Sequence, residues 1–108
     1  MRTTAVISVD ELTSEGADWA PFSAMLERFR AWGYDGVEIA LRDPAHTDCS
    51  ALARALAASG LPLAGIATGT ACVVDGLSWT HPEAAVRAAA RRRIAEQCAL
   101  AARVDGPV

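Results

Sequence analysis

Hydrophobic residues recur along this chain in two alternating rhythms. Short apolar runs appear three times: TAVISV at 4–9, GVEIAL at 36–41 and LPLAGIAT at 61–68. Runs of this length and composition read as strands. Between them the apolar positions shift to helical spacing. Phe22, Met25, Leu26 and Phe29 predict an amphipathic helix over 19–32, with Asp18 as its N-cap and Pro21 in its first turn. Gly33 ends that helix as a C′ glycine. Asp48 caps a second helix carrying Leu52 and Leu56, and Gly60 stops it. The segment RDPAHTD, 42–48, is a polar loop in which Pro44 blocks continuation of the strand. GTACVVDGLSW, 69–79, reads as a longer, glycine-bearing loop. THPE, Thr80 to Glu83, has the form of a capping box and opens an alanine-rich helix to about Arg103. Val86, Ala90, Ile94, Ala101 and Val104 form the apolar stripe of that helix.

The order is strand, helix, strand, helix, strand, helix. It predicts an α/β fold with a parallel sheet and right-handed crossovers. The closing VDGPV repeats the glycine-then-apolar step that leads into the second and third strands. Residues 1–108 therefore read as one partial domain, cut at the start of a fourth strand. Side chains alternate across a strand. Val37, Ile39 and Leu41 share the bulky face of the second strand, while Gly36, Glu38 and Ala40 share the other. The same alternation sets Ala5, Ile7 and Val9 against Val6, Ser8 and Asp10. In the third strand it sets Ala64, Ile66 and Thr68 against Leu63, Gly65 and Ala67. Glu38 is the informative residue, because an ionised carboxylate is costly to bury without a partner. It points into a solvated cavity near the C-terminal strand ends with Ser8, Asp10 and Thr68, or it pairs with Arg42.

Composition narrows the picture further. The chain is 52% hydrophobic and 21% charged, which is globular rather than disordered. A net charge of −3 gives no nucleic-acid footprint. No apolar run is long enough to span a bilayer, and the N-terminal segment carries acids where an export signal needs an apolar core. Cys49, Cys72 and Cys98 are odd in number and scattered, which suits reduced thiols and a cytoplasmic location.

GYDGVEIALRDP at 33–44, SGLPLAGIATG at 59–69 and the TxPE helix opening, followed by a long helix ending AARVDGPV, resemble the N-terminal part of the xylose isomerase-like TIM barrels. That superfamily includes sugar isomerases, epimerases and endonuclease IV. The resemblance covers about residues 4–108 and implies three βα units and the start of a fourth strand of a (β/α)8 barrel. It implies metal-assisted proton transfer next to the carbonyl of a sugar or sugar phosphate, with Mg, Mn or Zn as the divalent ion. The family's metal ligands come largely from later strands, so no metal is expected for this chain alone, and no turnover. Some members carry a histidine in the loop after the third strand. ATGTACVVDG, 67–76, has none, so an endonuclease-like metal cluster is not implied. Glu38 matches the pocket-lining glutamate of the family's second strand. Arg42 offers a fork for an anionic group such as phosphate.

The remaining signals read plainly. His46 and His81 lack metal-ligand spacing and are expected at the surface. Cys72 has no identifiable activating partner and reads as a half-buried thiol. Arg91, Arg92 and Arg93 fan over a solvated helix face, and Trp19, Trp32 and Trp79 anchor helix ends by packing. Two uncovered sheet edges, with Leu63, Ile66 and Val73 facing water, predict self-association. The alternative to an enzyme fragment is a non-catalytic α/β module that oligomerises or binds a polyol.

Overall fold

The structure, a computed structural model, describes residues 2–9 and 16–104. The described elements are β1 (Thr4–Ser8), α1 (Ala20–Ala31), β2 (Gly36–Ala40), a 3-10 turn at Pro44–His46, α2 (Cys49–Ser59), β3 (Leu63–Ala67), α3 (Gly69–Asp75) and α4 (Ala84–Arg103). The strands form one parallel sheet in the order β1-β2-β3. Asp10 and residues 105–108, where a fourth strand was expected to start, lie outside the described residues.

The bulky side of each strand meets the helices. Val37, Ile39 and Leu41 are fully buried beside Phe22, Leu26, Leu52, Leu56 and Leu100. Burying a side chain of that size contributes about 1.5–3 kcal/mol, so β2 is the centre of the core. The sheet departs from strict alternation at one place. Val37 pairs with Leu63, but Glu38 pairs with Gly65, so β3 bulges at Ala64. The extra residue returns Leu63 to the helix side with Ile66, and both are buried. Their expected exposure is thereby corrected: the bulge, invisible to simple alternation, brings both into the core.

Local chemistry explains most boundaries. At the end of α1, Tyr34 donates its N–H to the Phe29 carbonyl and Gly33 to that of Arg30. These are the two bonds of a Schellman motif, and they need the left-handed φ of +86° that Gly33 adopts. The Phe29 and Tyr34 rings meet edge to face across the motif, 5.7 Å apart. Asp48 accepts the Ala51 N–H at 2.9 Å and caps α2. Asp18 accepts from Ala20 just ahead of α1, whose first residue is Ala20.

Three sequence expectations fail. The segment after β3 is a short helix, α3, closed by Gly76 at φ +69°. The Thr80–Glu83 capping box does not form, and α4 starts at Ala84. The His81 ring takes the Glu83 N–H through Nδ1 at 3.1 Å, while the Thr80 hydroxyl lies 3.1 Å from that of Ser78. Arg87 then donates to the carbonyls of His81 and Pro82, both at 2.7 Å, which holds this stretch off the helical path. Trp32 and Trp79 are largely exposed; Trp19 packs edge to face with Phe22, and Trp32 keeps a tilted contact with the Phe29 ring, 6.2 Å between centroids.

Two glycines should respond differently to alanine. At Gly33 nothing crowds an added Cβ, so Gly33→Ala is expected to cost about 1–2 kcal/mol of left-handed backbone strain. At Gly60 an added Cβ lies 2.6 Å from Arg30 Nη1, which donates to the Ser59 carbonyl at 2.7 Å. Gly60→Ala therefore loses that bond as well, about 1 kcal/mol more. Urea unfolding of the two variants should rank Gly60→Ala as the less stable, and an equal or reversed order would show that Arg30 shifts freely.

Candidate functional site

Two groups of polar side chains lie along β2 and just beyond its end, on opposite sides of the sheet. The first is the face turned away from the helices. Glu38 lies at the middle of β2 with Val6 of β1 and Gly65 of β3 on either side. Two residues further along, Ser8 and Ala67 flank Ala40 on the same face. Glu38 is half-buried and Val6 is exposed, so this surface of small residues around one carboxylate is open. The helix side is closed to Glu38 because Val37 and Ile39 occupy it. Ser8 shares the face of Glu38. Thr68 does not: it opens α3 and lines a hollow on the helix side.

The second group is a ring of ions. Arg42 donates from Nε to the Asp75 carboxylate at 2.9 and 3.1 Å, and its Nη2 also bonds Asp75. From α4, Arg93 reaches Asp75 at 2.9 Å, Asp43 at 3.2 Å and the Arg42 carbonyl at 3.0 Å. Asp43 also bonds the His46 ring at 2.8 Å and caps the 3-10 turn through the Ala45 N–H. Arg93 was expected on a solvated face, yet its side chain is only 16% exposed. The helix turns it inward one turn before Gln97, and the two carboxylates compensate its charge. Gln97 is fully buried and donates to the Leu41 carbonyl at 2.8 Å. Side chains four residues apart on α4 thus hold two consecutive carbonyls at the end of β2. No sequence signal marked either residue, because a polar group on an alanine-rich helix reads as solvent-facing.

The ring shifts its carboxylates. The bonds from Arg42, then those from Arg93, pull Asp75 from its usual 3.8 to about 2. Burial pushes Asp43 up, but His46, the Ala45 N–H and Arg93 outweigh it and leave its pKa lowered. Burial raises the pKa of Cys49, which is half-buried, whereas Cys72 is exposed on α3 rather than half-buried. Among the described residues no three His, Cys, Asp or Glu side chains converge as a metal site. No described helix is long and apolar enough to cross a membrane.

A parallel sheet with helices on one side and a carboxylate on the other defines an α/β protein of the β/α-repeat class. The model of the xylose isomerase-like TIM barrel family matches residues 26–108, and the chain belongs to that family. No curated protein is a significant match.

Asp75 makes the stability of the ring dependent on pH. Its folded pKa is depressed, so the unfolded chain binds more protons as pH falls from about 4 towards 2. The contribution is complete above that window and is lost within it. Wild type should exceed Asp75→Asn in stability at pH 6, and the difference should shrink on acidification below about pH 4. A difference independent of pH would show that the ring contributes by packing rather than charge.

Proposed function

We propose that these βα units form one wall of a sugar isomerase or epimerase barrel, and that the open face around Glu38 lines its substrate cavity. The observation that supports this is the placement of Glu38 between Val6 and Gly65, on the face opposite the helices. In a (β/α)8 barrel that face is the interior. Glu38 accepts a hydrogen bond from a substrate hydroxyl, and the neighbouring glycine and alanine positions leave room for a sugar or sugar phosphate. Ser8 adds a hydroxyl one step nearer the strand ends.

The reaction is proton transfer at the carbon next to a carbonyl, in a cytoplasmic enzyme. The described residues do not assemble a ligand set for a divalent ion, so no step is assigned through one. On this reading these units alone do not turn over a sugar, which the deuterium experiment below tests. A second reading, a non-catalytic module that oligomerises or binds a polyol, is favoured by one feature: Val6 is 59% exposed on a sheet in which, among the described residues, β1 and β3 are the edge strands. Such edges and patches favour association.

Titration with xylitol and with ribulose, followed by amide NMR, tests the pocket. Shifts should cluster at Val6, Ser8, Glu38, Ala40 and Gly65 and weaken at least several-fold in Glu38→Gln. Solvent deuterium should not enter the sugar, with or without Mg²⁺ or Mn²⁺. Shifts confined to other surfaces would sink the pocket, and metal-dependent exchange lost in Glu38→Gln would sink the inactivity. Sedimentation at micromolar concentration checks the association: a monodisperse monomer would rule it out.

A further inference from the structure

Two acceptors compete for one N–H at the start of α4. The Glu83 N–H is held by the His81 ring through Nδ1 at 3.1 Å. A capping box would give that N–H to the Thr80 hydroxyl, which instead lies 3.1 Å from the Ser78 hydroxyl. The Thr80 N–H, the other half of such a box, goes to Ser78 Oγ at 3.2 Å. Glu83 itself has extended backbone, φ −77° and ψ 127°, and its side chain makes no cap bond. Both halves of the box are present in the sequence and unmade in the fold. What replaces them is a ring nitrogen that accepts only while the imidazole is neutral, with its hydrogen on Nε2.

We propose that His81 is a proton-operated stop for α4. Neutral, it holds the helix start at Ala84. A proton taken from solvent onto Nδ1 turns that atom into a donor, so the Glu83 N–H passes to the Thr80 hydroxyl and the helix starts a turn earlier. In the longer form the Glu83 carboxylate takes the Thr80 N–H. The carbonyls of His81 and Pro82, now bonded to Arg87 Nη1 at 2.7 Å, accept instead from the N–H groups of Ala85 and Val86. Pro82 has no N–H to lose in a first turn. A proline does disfavour helical backbone at the residue before it, so the short form prevails while the ring can accept. Charge works the same way: a cation on the ring opposes the Arg87 guanidinium that holds the short form. The helix dipole disfavours a cation in the first turn, and the Glu83 carboxylate two positions on offsets that. From the α3 side the segment brings only the hydroxyls of Ser78 and Thr80, and Asp75 is engaged by Arg93. Among the described residues no carboxylate pairs with the His81 ring, in contrast to His46 on Asp43. Ser78 and Trp79 line the hollow behind α3, so drawing Thr80 off Ser78 remodels its rim. The device does not depend on the cavity around Glu38.

NMR of the 108-residue chain from about pH 8 to about pH 5 tests this, by following the His81 ring and the Cα shifts of residues 80–83 together. As the ring titrates, the Cα shifts of His81, Pro82 and Glu83 should move towards helical values with the same midpoint. His81→Asn keeps a side-chain acceptor for the Glu83 N–H and cannot titrate, so its shifts should stay non-helical throughout. His81→Ala should show the longer helix at both ends of the range, and Thr80→Val should lose the low-pH form. If a variant does not fold, the wild-type titration decides alone. A ring that titrates while these Cα shifts stand still would overturn the proposal and leave His81 a fixed turn residue. A change that survives in His81→Asn would trace to another group and refute it. Persistence of the longer helix in Thr80→Val would refute the exchange of caps.

Discussion

Burial of Val37, Ile39 and Leu41 on one side of β2 is the constraint from which the rest follows. Strand geometry leaves no choice about the intervening residue. Once three fully buried side chains face the helices, Glu38 faces the other way. A shift of one residue would put the carboxylate into the core beside Leu26 and Leu52, at a desolvation cost no partner there offsets. The hydrophobic register of one strand therefore determines where the chain can present a functional carboxylate.

The end of the same strand is held by different physics. There the chain leaves the sheet, and its carbonyls lose the regular ladder. Gln97 and Arg93 supply the missing donors from α4. The Gln97 bond is buried in the packed layer, where an unpaired backbone carbonyl is expensive, whereas the Arg93 bond lies at its exposed margin. Arg93 brings its own charge problem, which Asp43 and Asp75 resolve. The ring thus follows from using an arginine as a backbone donor, and it joins β2, the turn after it, α3 and α4.

The two sides of the sheet have different characters. The Glu38 face is open and carries mostly small residues. The helix side carries a hollow behind α3, where a guanidinium is already paired, and another between α2, the start of β3 and the end of α4. A barrel places its chemistry at the C-terminal ends of its strands, and nothing in that rule concerns pockets between the outer helices. The two polar groups are accordingly separate, although Arg42 and Glu38 stand only four residues apart.

Much of the fold was legible in the chain. Three short apolar runs, helical spacing between them and glycines at the stops specify parallel strands and their crossovers. Asp48, Gly33 and Gly60 act within a few residues of themselves, so their roles can be read locally. The face occupied by Glu38 follows from alternation within a single strand. What escaped depended on contacts between distant segments. The bulge at Ala64 is a property of the β2·β3 pairing, set by Leu63 and Ile66 both seeking the core. The failure of the Thr80 capping box rests on the His81 ring and the reach of Arg87. Arg42, Asp43, Asp75 and Arg93 span fifty residues of sequence and carry no shared motif. Only the packing of α4 across the end of β2 brings their charges within hydrogen-bond distance, and that packing is a tertiary fact.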